Sequence, residues 1–133
     1  MPTFSIKAIS LGLVTMLALD LIVGLALLVL WPGGSDDASA DASAMYAQPA
    51  YLAVALILGT LTTTVGGMVC ARRATALPYW NVAAFGALSM VVGLLLSDAI
   101  QPVWFTVLAS LLTMPAAIWG ARIALRKGQD RQA

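Results

Sequence analysis

Four long apolar runs alternate with short polar segments along the chain. The runs are Ala8–Leu30, Ala50–Ala71, Trp80–Leu96 and Val103–Leu125. A transmembrane helix needs about 20 mostly apolar residues at a rise of about 1.5 Å per residue. The pattern therefore predicts an all-α fold, with a single transmembrane domain over residues 1–133 in which four helices form a bundle.

Composition agrees with a membrane protein and removes most catalytic chemistry. Hydrophobic residues make up 61% of the chain and charged residues 10%, against about a quarter charged in soluble proteins. The chain has no His, no Glu and a single cysteine, Cys70, so the commonest general bases and zinc ligands are missing. We therefore expect a protein that is not an enzyme and that holds no cofactor and no metal.

All Lys and Arg residues fall on one side of the four runs. They are Lys7 at the N-terminus, Arg72 and Arg73 in the second loop, and Arg122, Arg126, Lys127 and Arg131 in the tail. Cytoplasmic segments carry the excess of Lys and Arg, so both termini are predicted to be cytoplasmic. Because these residues lie at helix ends, as topology determinants do, they do not indicate binding of nucleic acid.

The N-terminal run is open to a second interpretation, as a signal peptide cleaved near Ala42-Ser43-Ala44. The apolar core of a signal peptide is about 7–15 residues long, whereas Ala8–Leu30 has about 23 residues. We therefore expect a retained helix.

The longest connection, residues 32–48, is predicted to be a flexible outer loop. It is rich in Gly, Ser, Ala and Asp and has no helical or alternating apolar pattern. Its acids Asp36 and Asp37 are compatible with a cation or partner site and also with a solvated linker.

An internal repeat is predicted from a shift of 50 positions, which lays Leu58–Ala74 on Leu108–Ala124. The identities are Leu58/Leu108, Leu61/Leu111, Thr63/Thr113, Ala71/Ala121, Arg72/Arg122 and Ala74/Ala124. Both segments run from outside to inside, so the halves would be parallel repeats of a helical hairpin about an axis along the membrane normal. Shared composition of two apolar helices is the alternative explanation.

Small residues recur at helical spacing on three of the runs and predict where helices pack. In lipid, helix association depends on small residues that allow close backbone approach and on polar groups that pair. The glycines predicted to lie at these helix contacts are Gly59, Gly66, Gly86, Gly93 and Gly120.

Asp20 is the only ionisable residue deep inside an apolar run. An acid at this depth costs about 2.5–3.5 kcal/mol on insertion scales, so it is expected to face the bundle. Counting from the helix ends places four hydroxyl residues at a similar depth, and with Asp20 they form the candidate intramembrane polar site: Thr60, Thr63, Ser89 and Thr113. This site is either a proton or cation site or a polar clasp that fixes helix register. The lack of a second ionisable group to relay a proton favours the clasp.

Three arginines at predicted cytoplasmic helix ends, Arg72, Arg73 and Arg122, are candidates for contact with anionic lipid headgroups. Topology alone accounts for them equally well. The expected partners are the lipid bilayer and, beyond it, other membrane helices or a second copy of the chain.

Several segments together resemble a group of small bacterial four-helix membrane proteins of uncharacterised function. They are Ser5-Ile6-Lys7-Ala8 with Gly12 and Asp20, Gly66-Gly67-Met68-Val69-Cys70-Ala71-Arg72-Arg73-Ala74, Pro78 with Asn81 and Gly86, and Thr113-Met114-Pro115-Ala116-Ala117 with Gly120-Ala121-Arg122. The resemblance covers most of the chain and implies a multi-pass protein of the bacterial cytoplasmic (inner) membrane.

Two classes of function are compatible with these features. The first is a non-enzymatic accessory or assembly subunit whose surfaces bind other helices. The alternative is a small proton-coupled or cation transporter that uses Asp20. Small multidrug-resistance exporters are similar in size, helix number and a carboxylate in the first helix, but they use Glu there and have a weaker charge bias than this chain.

Overall fold

The computed structural model describes residues 4–31, 43–74, 76–97 and 100–129, the last of these with side chains as far as residue 126. It contains four long helices: α1 (Ile6–Leu30), α2 (Pro49–Arg73), α3 (Pro78–Leu95) and α4 (Val103–Gln129). All four are long and apolar enough to cross a membrane. The predicted all-α fold with four such helices is confirmed.

The helix boundaries follow local signals that the sequence carries. The Ser5 side chain caps α1 by accepting a hydrogen bond from the backbone N–H of Ala8, while Pro49 and Pro78 begin α2 and α3, where a missing N–H costs nothing. Residues 43–46 form a helical turn, so the predicted flexible loop is wrong over this part, in which Met45 is 3% exposed. The rest of that prediction, including Asp36 and Asp37, lies outside the described residues.

Helix α2 is the centre of the bundle. It contacts all three other helices, while α1 and α4 share no contact among the described residues. We call the end of the bundle that carries Lys7, Arg72 and Arg73 the basic end, and the end near Trp31 and Gln101 the opposite end.

The glycines of α2 allow two neighbours to approach its backbone closely. A Cβ built on Gly66 would lie 3.0 Å from the carbonyl oxygen of Gly12 in α1, and one built on Gly67 would lie 2.5 Å from the carbonyl oxygen of Ala117 in α4. Successive helix residues point about 100° apart, so this adjacent pair serves two different helices. A Cβ on Gly120 would in turn meet the carbonyl oxygen of Thr64.

The tightly packed core occupies the half of the bundle nearest the basic end. It consists of Ala8, Met16, Cys70, Ala71, Val82, Phe85, Ala117, Ala121 and Ala124. Most of these side chains are small, and the fully buried Phe85 ring fills the junction of three helices beside Gly12 and Gly66. Backbones brought this close gain the van der Waals contact on which helix association in lipid depends.

A buried amide closes the basic end. The Asn81 side chain accepts a hydrogen bond of 2.7 Å from the backbone N–H of Ser5 and donates to the carbonyl oxygens of Ala76 (2.9 Å) and Leu77 (3.2 Å). These bonds hold the chain where Leu77 adopts the left-handed conformation, with φ of 47°, which is unfavourable for a residue with a side chain.

Large apolar side chains cover the outer surface of the bundle. In the second half of α1, Leu21, Ile22, Val29 and Leu30 are each more than 60% exposed. Such a surface fits a hydrocarbon environment, in which apolar side chains outside the core are the rule.

We expect Gly67→Ala to destabilise the bundle by about 1–3 kcal/mol, the usual cost of overpacking, because the added methyl group would collide with the α4 backbone. Gly59→Ala on the same helix is the matched control: a Cβ there meets nothing within 4 Å, so stability should be unchanged or slightly higher. Thermal unfolding in detergent measures both. Equal melting temperatures for the two variants would contradict the close α2–α4 crossing.

Candidate functional site

A cavity lined by both polar and apolar residues lies between the helices in the half of the bundle away from the basic end. Its volume is about 320 Å³, and its lining includes all five residues of the predicted polar site: Asp20, Thr60, Thr63, Ser89 and Thr113. These residues come from all four helices. The cavity thus brings together residues that are up to 93 positions apart in the sequence.

The cavity has a polar inner part and a more apolar outer part. On α2, α3 and α4 the lining residues nearest the basic end are the polar Thr63, Ser89 and Thr113. On α1, Asp20 lies one turn from the apolar Met16, and the lining residues nearer the opposite end are mainly apolar. This outer lining comprises Ala55, Leu56, Phe105 and Ala109, with Gln101 in the connection between α3 and α4. At the opposite end the Gln101 side chain donates a hydrogen bond of 3.1 Å to the Tyr46 hydroxyl.

An aromatic group lies beside Gln101 at the opposite end. The Tyr51 ring packs edge-on against Trp31 and Tyr46, with centroids 5.3 and 5.8 Å apart. Trp31 also donates from Nε1 to the Gln48 side chain over 2.9 Å. These contacts tie the end of α1 to the helical turn at 43–46 and to the start of α2.

Asp20 is half-buried at the contact of α1 with α2, and its partner is Thr62. The Thr62 hydroxyl donates to Oδ1 of Asp20, and it also lies 2.8 Å from the carbonyl oxygen of Gly59. The predicted site residues line one cavity, but none of the four predicted hydroxyl residues makes the described bond to Asp20. Residues one position apart differ by about 100° around a helix, so depth counting missed Thr62 by one residue.

The other hydroxyl groups of the site bond mainly to their own helices. Thr60, Thr63 and Thr113 each donate to the carbonyl oxygen four residues earlier, over 2.7, 2.9 and 2.9 Å. Ser89 differs, because its side-chain oxygen is buried and has no hydrogen-bond partner among the described residues. Its residue is 4% exposed. A buried polar atom left in this state is costly unless something occupies the cavity next to it.

Among the described residues, an acidic side chain lines the cavity and no basic side chain does. Asp20 is the only acid among the described residues, and none of the described Lys and Arg side chains lines the cavity. The basic residues whose side chains are described all lie at the basic end and are exposed. They include the predicted lipid contacts Arg72, Arg73 and Arg122. The carboxyl group therefore has a hydroxyl partner but no neutralising cation.

The five predicted packing glycines have different surroundings. A Cβ on Gly66, Gly86 or Gly120 would meet a neighbouring helix, whereas one on Gly59 or Gly93 meets nothing within 4 Å. Gly59 and Gly93 form part of the cavity wall, so the packing prediction is wrong for these two. The close contacts at Gly12 and Gly67 were not among the predicted packing residues.

The amino-acid sequence matches no family model, and no curated protein or solved structure matches the chain. The chemistry of the cavity residues is therefore the basis for assigning a function.

We expect Thr62→Val to lower stability by about 0.6–2 kcal/mol, the range measured for hydrogen bonds between membrane helices, because it removes the partner of Asp20 without changing side-chain volume. Thr64→Val is the matched control: Thr64 donates to the carbonyl oxygen of Thr60 over 2.8 Å and lies outside the cavity. Thermal unfolding in detergent compares the two. A loss no larger for Thr62→Val than for Thr64→Val would show that the Asp20–Thr62 bond contributes little.

Proposed function

We propose that this chain is a small multi-pass protein of the bacterial cytoplasmic membrane that binds a proton or a small cation at Asp20 and transports it. The observation that carries the proposal is the cavity of about 320 Å³ in which Asp20 lies with hydroxyl groups from three other helices. Ionisable residues inside membrane spans are expensive and mark ion or substrate pathways.

The Thr62 hydroxyl supports a role for Asp20 in both of its protonation states. A hydroxyl group has one hydrogen and two lone pairs, while Thr62 lies within bonding distance of both Asp20 and the Gly59 carbonyl oxygen. An ionised Asp20 accepts the Thr62 hydrogen. A neutral Asp20 donates its own proton to Thr62, whose hydrogen then goes to Gly59. The contact therefore survives gain and loss of a proton.

The uneven packing of the bundle supports access to Asp20 from one end. Towards the basic end, the path is filled by Phe85 and by the close contacts at Gly12, Gly66 and Gly67. Towards the opposite end, Gly59 and Gly93 face open space. Transport would require the bundle to open at the basic end and to close at the opposite end, as in alternating access.

Charge supports an orientation with the basic end in the cytoplasm. Cytoplasmic loops carry the excess of Lys and Arg, so both termini would be cytoplasmic and the cavity would open away from the cytoplasm. The resemblance to small bacterial four-helix membrane proteins supports the choice of membrane.

We also propose that the two helical hairpins are parallel repeats. The contact of Gly67 with Ala117 supports this, because the shift of 50 positions makes these residues equivalent, and equivalent positions meet at a twofold axis between parallel helices. The present packing is not fully symmetric, since α2 contacts α3 but α1 does not contact α4 among the described residues.

A second candidate function is that of an accessory or assembly subunit. The observation favouring it is α1, which has no buried residue beyond Met16 and exposes Leu21, Ile22 and Leu25 on the bundle surface. A second copy or another membrane helix could cover this surface.

Mass determination after gentle extraction into nanodiscs is expected to find a stoichiometric partner or homo-oligomer if the chain is an accessory or assembly subunit, and a lone chain if it is not.

We expect the purified chain in liposomes to support cation-dependent or proton-linked flux, and Asp20→Asn to abolish it while preserving assembly. The amide is nearly isosteric with the carboxyl group and still forms hydrogen bonds, but it cannot carry charge or release a proton. Thr15→Val is the control, because Thr15 donates to the carbonyl oxygen of Leu11 on its own helix and lies outside the cavity.

Flux can be followed with a pH-sensitive dye or a radiolabelled cation inside the vesicles. Absence of flux in the parent, together with misassembly of Asp20→Leu, would contradict transport and leave Asp20 as a structural clasp of a subunit.

A further inference from the structure

The threonine hydroxyl groups around the cavity present acceptors rather than donors. Thr60, Thr63 and Thr113 each commit their single hydrogen to a backbone carbonyl oxygen one turn earlier. What remains on each oxygen is lone-pair density. Backbone bonding of this kind is usually a local helix feature, but here three such oxygens from two helices line one cavity.

The remaining polar groups add few donors. An ionised Asp20 only accepts, and the Thr62 hydrogen is already used within the Asp20–Gly59 contact. Gln101 commits one N–H to Tyr46 and retains another. The Ser89 hydroxyl is free among the described residues and is buried against the cavity. A ligand that satisfies this lining must therefore bring positive charge and several hydrogen-bond donors.

The size and the apolar part of the cavity restrict the ligand further. A volume of about 320 Å³ corresponds to roughly ten water molecules at about 30 Å³ each, which is far more than a bare metal ion fills. Leu56, Phe105 and Ala109 line the part nearer the opposite end, where a short hydrocarbon chain would replace water favourably.

We infer that the cavity binds a small protonated primary amine, with its ammonium group between Asp20 and Ser89 and its short alkyl chain against Phe105. The three N–H donors of the ammonium group match the carboxylate and hydroxyl acceptors, and the orphaned Ser89 oxygen gains a partner. The inference rests on the proposed function, since it names the class of cation that the Asp20 site takes.

The test is thermal unfolding of the full chain in detergent with four chloride-matched or neutral probes. Propylammonium has both charge and N–H donors; tetramethylammonium has the charge but no donors; sodium has no alkyl part; and propanol has no charge. Propylammonium is expected to raise the melting temperature by several degrees at saturation, and the other three to have much smaller effects at equal concentration and ionic strength.

Variants locate the binding. Asp20→Asn should weaken propylammonium binding at least tenfold, and Ser89→Ala about fivefold, the effect of losing one hydrogen bond of about 1 kcal/mol. Thr15→Val, outside the cavity, should leave the affinity unchanged. Isothermal titration gives these dissociation constants directly.

Each result separates the inference from the proposed function. An Asp20-dependent shift with sodium or tetramethylammonium but none with propylammonium would overturn the amine while keeping the cation site. Proton flux that requires Asp20, without any shift of the melting temperature by propylammonium, would likewise overturn the amine ligand and keep the proposed transport. A propylammonium shift retained in Asp20→Asn, or equalled by propanol, would also overturn the inference. Absence of any Asp20-dependent shift in melting temperature and of any Asp20-dependent flux would contradict both the amine inference and the proposed function.

Discussion

The close approach of three helix backbones at Gly66 and Gly67 is the contact on which the rest of the structure depends. Neighbouring positions on α2 point about 100° apart, so one glycine receives α1 at Gly12 and the next receives α4 at Ala117. Without hydrophobic driving force between helices in lipid, such contact is a main source of cohesion. Because both crossings lie in the half nearest the basic end, that half is closed.

The cavity is the consequence of closing only one half. A Cβ built on Gly59 or Gly93 would meet nothing within 4 Å, so no neighbouring helix packs closely against these two glycines. Asp20 lies between the closely packed half and the half that contains the cavity. It accepts a hydrogen bond from Thr62 on α2 and also lines the cavity. The carboxyl group therefore takes part in a helix contact and also faces the cavity, a combination that a uniformly packed bundle would not provide.

Helical geometry also sets the chemistry of the lining. A threonine whose hydroxyl bonds to the carbonyl oxygen one turn earlier stops acting as a donor, and Thr60, Thr63 and Thr113 all do so. The cavity becomes rich in acceptors without any additional acid. Ser89 is the exception, because its buried side-chain oxygen makes no such bond among the described residues.

The sequence by itself determined the four helices, since a hydrophobic run of about 20 residues and a capping Ser or Pro are local features. Their starts agree with prediction within two residues. It also predicted that Asp20, Thr60, Thr63, Ser89 and Thr113 lie together, because the rise per residue is constant, and all five line the cavity. Only the tertiary structure decided which faces meet. The rotation and tilt of each helix depend on its contacts with other helices. For this reason Thr62 rather than its neighbours bonds Asp20, and Gly67 rather than Gly59 packs closely. The same contacts leave a cavity in the half of the bundle away from the basic end.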